Sequence, residues 1–174
     1  MSEPTPEVRE KLIAFTANGV PGAREYLRIM ASLVGMGDDL VDEDLVPVRR
    51  QDFVVRMLYA TLVQLPSNPF FVAHGAHLSA VVTDILVHWE ASDRWKGSDD
   101  SVRHLFGFVR RENIDGLFVA VGAITGGIDH ARRVAEAMIT HLHRDGETVE
   151  DWVKEGRQNV DDAEHSRDVG DEPI

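Results

Sequence analysis

The stretch Asn68 to Trp95, NPFFVAHGAHLSAVVTDILVHWEASDRW, decides the fold class. Asn68 before Pro69 is a helix-start signal. The amide side chain can accept an orphan backbone N–H, and the fixed φ of proline suits the first helical position. No proline or glycine pair then interrupts the chain until the turn at Lys96-Gly97. At 100° per residue, His74, Val81, Ile85 and His88 gather on one side, with His77 and Asp84 beside them. Ala73, Ala76, Ala80, Val87 and Ala91 form a small-residue ridge along the same helix. The period is helical throughout.

The same punctuation extends outward in both directions. Thr5-Pro6-Glu7 opens a helix that Asn18-Gly19 closes, with Val8, Leu12 and Phe15 sharing a face. Pro21 starts a second helix with Tyr26, Ile29, Met30 and Leu33 inward, predicted to end at Gly35 or Gly37. A third, from about Arg50 to Leu65, is expected to bury Val54, Met57, Leu58, Thr61 and Leu65 before Pro66. Beyond the quoted stretch, Ser98 caps a fifth helix predicted to reach Thr125. Its inner stripe is Val102, Phe106, Val109, Asn113, Leu117, Ala120 and Ile124. Gly126-Gly127 breaks or bends the path. A sixth helix then carries Ile128, Ala131, Val134, Ala135, Met138, Ile139 and Leu142 on one face. Thr148 to about Gln158 can make a short seventh helix through Val149, Trp152 and Val153. Leu117 to Ile124 is rich in β-branched residues and could be read as a buried strand, but the helical stripe from Val102 runs through it. The prediction is an all-α, single-domain helical bundle of six to seven helices over residues 1–158, with a long central hairpin. Residues 159–174 form an acidic tail without apolar periodicity, expected to be disordered or ordered by a partner.

Composition narrows the function classes. The chain has 174 residues, 43% apolar and 28% charged, which is ordinary for one globular domain. With no cysteine, disulfide scaffolds, thiolate zinc sites and cysteine nucleophiles are excluded. The formal net charge is −12, so direct nucleic-acid binding is not expected. Much of the excess lies in Asp38, Asp39, Asp42, Glu43 and Asp44, and in the tail from Asp161 to Glu172. Such runs are solvated surface or an acidic face for a basic partner. The start, MSEPTPEVRE, lacks a signal-peptide pattern, and the apolar stretch from Leu117 to Ile128 is too short to span a bilayer. These features suggest a soluble protein without membrane attachment.

The candidate chemistry concentrates on the quoted helix. His74 with His77, and Asp84 with His88, have the one-turn spacing that offers two ligands to one ion. The pairs would be two separate sites, because His77 and Asp84 are about 10 Å apart along the axis. Zinc, iron or manganese there would make a metal-dependent hydrolase or oxidase, the alternative reading. The structural reading is an antiparallel hairpin about Gly97, which places Asp84 opposite Arg110 as a buried ion pair. His74 would then be a neutral core histidine. Gly126-Gly127 before a helix could receive a phosphate on free amides. His130, Arg133, Thr140, His141 and Arg144 share the face opposite the sixth helix's stripe and are expected in solvent or on a partner. The serines lack a strand-turn-helix elbow, so no catalytic residue is assigned.

The phrase LPSNPFFVAHGAHLSAVVTDILVHWEASDRW, followed by AITGGIDHARRV, resembles a group of small all-helical proteins encoded by tailed bacteriophages. The features are Asn68 to Phe71 at the helix start, Trp89 and Ser92 later in it, and Gly126-Gly127 with His130. They cover residues 50–140. The resemblance transfers no catalytic residue and no cofactor. Together with the missing catalytic constellation, it implies a non-enzymatic protein acting through protein–protein contacts or self-assembly. Such a product would be a virion component or a host-interacting protein, placed in the host cytoplasm or the virion. A homo-oligomer is one expectation, with Trp152 and the acidic extensions ordered by a partner.

Overall fold

The computed structural model describes residues 5–41, 50–111, 114–142 and 148–154. These residues form an all-α bundle, and no strand occurs among them. The order is α1 (Pro6–Ala17), α2 (Pro21–Val41), α3 (Arg50–Tyr59), a π-helical turn (Ala60–Gln64), α4 (Leu65–Ser67), α5 (Pro69–Lys96), α6 (Ser101–Arg111) and α7 (Asp115–Leu142). Residues 149–154 add a last short helix. The tail at 159–174, and the acidic segment from Asp42 to Asp44, lie outside the described residues.

The helix signals work locally as their chemistry requires. The Thr5 hydroxyl accepts from the Val8 amide at 3.4 Å, and Asn18 closes α1 in the left-handed conformation at φ 46°. Asn68 is 5% exposed and does two jobs. Its Oδ1 accepts the Phe71 amide at 2.9 Å, and its Nδ2 donates to the Gly22 carbonyl at 3.0 Å. The same residue therefore starts α5 and ties that start to α2. Gly22 admits the contact, because a Cβ there would stand 3.2 Å from Phe70 Cβ.

α7 is one helix only by hydrogen-bond continuity. Gly127 has φ 75° and ψ −175°, a backbone region that costs a non-glycine residue about 1–3 kcal/mol. The chain reverses there. A Cβ on Gly122 would lie 3.0 Å from Val134 and 3.5 Å from the Ala131 Cα. In a straight helix Gly122 and Val134 would be about 18 Å apart. α1 seals the reversal. The Thr125 hydroxyl donates to the Thr16 carbonyl at 3.0 Å, Asn18 Nδ2 donates to the Thr125 carbonyl at 3.1 Å, and His130 Nε2 lies 3.2 Å from the Thr16 carbonyl. His130 is thus 3% exposed and structural, not on the solvated face expected for it. The space beside Gly126 is filled by His130 and Asn18.

The core gathers Leu12, Ile13 and Ala17 of α1, Tyr26 and Leu27 of α2, Phe70 and Leu78 of α5, and Leu117, Val121, Val134 and Met138 of α7. On the outside, Glu10 accepts from Arg24 Nε at 2.9 Å and from Arg28 Nε at 3.0 Å, clamping α1 to α2. The two guanidinium groups hold the Glu10 carboxyl down at about 2.

Five expectations are corrected. α2 passes through Gly35 and Gly37 to Val41, since the Ile29, Ser32 and Met36 side of it faces α3. The predicted fifth helix is two helices, α6 and the first half of α7. The predicted long hairpin is therefore only as long as α6. Asp84 is not buried, with its side chain 58% exposed and its partner His88 at 3.3 Å. The expected register also fails. Gly107 sits against Trp95, which leaves Arg110 about 12 Å along the axis from the level of Asp84.

Two outcomes follow. Asn68→Ala removes a cap and leaves the Gly22 carbonyl unpaired, and should lower the unfolding free energy by about 2 kcal/mol in urea denaturation. Asn68→Asp should cost at least as much, because it keeps the cap but buries a carboxylate oxygen against the Gly22 carbonyl. The Glu10 contribution is present above the ordinary carboxylate value of 4.5 and is lost as pH falls toward about 2. Glu10→Gln should therefore flatten the acid side of a thermal-stability profile between those pH values.

Candidate interaction surfaces

The candidate metal ligands on α5 do not converge. His74 is half-buried with its ring 4.8 Å from that of Phe70. His77 is exposed. Asp84 and His88 do meet, at 3.3 Å, as the one-turn spacing requires. No group of three or more His, Asp or Glu side chains able to hold an ion occurs among the described residues. A two-ligand pair alone leaves half of a tetrahedral shell unfilled.

By length and composition α5 could cross a membrane, with mean hydropathy 1.6 over its most apolar 18 residues, of which 11% are buried. Its exposed residues include the apolar Val72, Leu86 and Val87 as well as His77, Ser79, Thr83, Asp84, Glu90 and Arg94.

The chemically informative surfaces are two amphipathic helices turned the unexpected way. On α6 the inward residues are His104 and Gly107, 8% exposed or less. Val102, Leu105, Phe106 and Val109 point outward, each 53–59% exposed. Two local features set this rotation. Asp100 caps α6 through the Val102 amide at 2.9 Å, and the His104 ring closes the preceding turn on the Ser98 carbonyl. Gly107 then faces α5 and the last short helix. A Cβ there would fall 2.8 Å from the Trp152 ring and 3.4 Å from Trp95 Cβ. Trp152 fills that gap completely, against Phe108 at 6.1 Å and under the Lys96 ammonium at 5.7 Å. It is core within this chain, not a side chain waiting for a partner. The outward stripe of α6 is flanked by Arg103 and Arg110, with no acidic residue inside the helix.

The second surface runs from α3 through the π turn. Phe53 and Ala60 are buried and Met57 half-buried, whereas Val54, Leu58 and Thr61, expected inside, are exposed. Nearly every residue from Phe53 to Val63 is apolar, so the helix has two faces fit for burial and only one is covered. Beside Tyr59 an open groove of about 260 Å³ separates α3 from α2, smaller than the usual small-molecule pocket. Apolar spacing places both helices but not their rotation, and Gly107, where α6 makes its close contact, is the residue that marks the inner face.

Comparison with protein-family models, curated proteins and solved structures returned no match.

The assignment of α6 faces is directly testable. Leu105→Glu with Phe106→Glu should leave helix content unchanged and the melting temperature within about 2 °C, as surface changes do. Gly107→Ala, which pushes a methyl into Trp152, should destabilise by about 1–3 kcal/mol in the same circular-dichroism melts.

Proposed function

We propose that the chain is a non-enzymatic helical protein that works by docking to other proteins, as a tailed-phage virion component or a host-directed phage product. The observation that carries this reading is the outward apolar stripe of α6, Val102, Leu105, Phe106 and Val109, on a helix whose other side is tightly packed. Exposed contiguous apolar surface on a capped, well-packed helix is expensive unless something covers it. The rim of Arg103 and Arg110 favours an acidic edge on whatever docks there. The phage assignment rests on the sequence resemblance over residues 50–140.

Mass spectrometry of purified particles of the phage encoding the chain tests the virion version. Stoichiometric recovery is expected, and absence from the particle would leave only the host-directed version. In either case Leu105→Glu with Phe106→Glu should abolish incorporation or partner capture while the protein remains folded.

A further inference from the structure

We infer that the outer face of α3 and its π turn is a two-fold interface between copies of this chain. The inference rests on the protein-contact reading above and names one partner for it. Val54, Val55, Leu58, Tyr59, Leu62 and Val63 are 44–69% exposed and lie on one side of a continuous helical rod. Val55, Leu58, Tyr59 and Leu62 follow the i, i+3, i+4, i+7 rhythm of a packing stripe.

Area supports a second copy as occupant. Allowing about 150–230 Å² for each fully exposed side chain, the six present about 550 Å² of apolar surface. A standard-size interface covers about 800 Å² per partner, about 57% of it apolar, or about 450 Å². This one stripe therefore supplies the apolar share of an interface of that size. The polar edge of the α3 face carries Asp52 and Arg56, one charge of each sign, so self-contact brings no like-charge penalty. A helical stripe also suits the isologous contact that a two-fold axis demands, each helix packing antiparallel on its equivalent.

The full chain should sediment as a dimer of about 39 kDa, twice 19.4 kDa, at concentrations near 10 µM. Leu58→Glu with Leu62→Glu should weaken association by about 100-fold or more while leaving the helical spectrum and melting of the monomer unchanged. Leu105→Glu with Phe106→Glu should leave the dimer intact. Because the chain has no cysteine, Tyr59→Cys offers a second readout, a single disulfide-linked dimer under mild oxidation. A wild-type monomer at about 100 µM would overturn the inference, as would a dimer that survives Leu58→Glu with Leu62→Glu. Co-flotation of the wild-type chain with phosphatidylcholine vesicles in place of dimer formation would also overturn it. A monomer that still enters the virion through α6 would sink this interface alone and leave the docking reading standing.

Discussion

The reversal at Gly127 is the constraint around which the rest is arranged. A φ of 75° with extended ψ turns α7 back on itself, so Gly122 meets Val134 and Ala131 side by side. Asn18 of α1's end donates to the Thr125 carbonyl just before the reversal, and the Thr125 hydroxyl and His130 ring meet the Thr16 carbonyl at the end of α1, each contact spanning more than a hundred residues of chain. Once α1 is held there, Leu12, Ile13 and Ala17 stand against Leu117, Val121 and Val134. α2 and the first half of α5 then close the core, joined by the Asn68 contact to Gly22. Among the buried polar groups, Asn68, His130 and the Thr16 carbonyl are paired, whereas the Tyr26 hydroxyl and the Trp152 indole N–H have no hydrogen-bond partner.

Around that core the peripheral helices obey a different rule. α3 and α6 each offer two faces, and the winner is the one that fits most closely, not the one richest in large apolar residues. In α6, Gly107 lets Trp95 and Trp152 approach to a distance that any side chain would block. Dispersion and the complete burial of a tryptophan outweigh the exposure of four medium-sized side chains. The apolar stripes displaced from the core, Val102, Leu105, Phe106 and Val109 on α6 and Val55, Leu58, Tyr59 and Leu62 along α3 and the π turn, are left exposed.

Local chemistry was legible in the sequence. Thr5, Asn18, Asn68 and the Gly126-Gly127 pair each announce a start, stop or reversal, because capping and positive φ depend on a residue's own atoms and near neighbours. The all-helical class and the helix order follow from that punctuation and from apolar spacing. The one-turn pairing of Asp84 with His88 is equally local. What spacing cannot convey is rotation about a helix axis. It left His104 and Gly107 on the wrong side of α6, and Val54, Leu58 and Thr61 on the wrong side of α3. It also placed Asp84 against Arg110, when the tight turn before α6 sets another register. Those choices rest on contacts between distant segments, such as Trp152 against Gly107 and Thr16 against Thr125, whose energies depend on distances that only the folded chain defines. By itself the sequence determined the all-helical class and the starts that a capping residue or proline marks, because those depend on near neighbours alone. The tertiary structure decided where α2 ends, which faces are core and which are left exposed, because close packing is a property of two surfaces together.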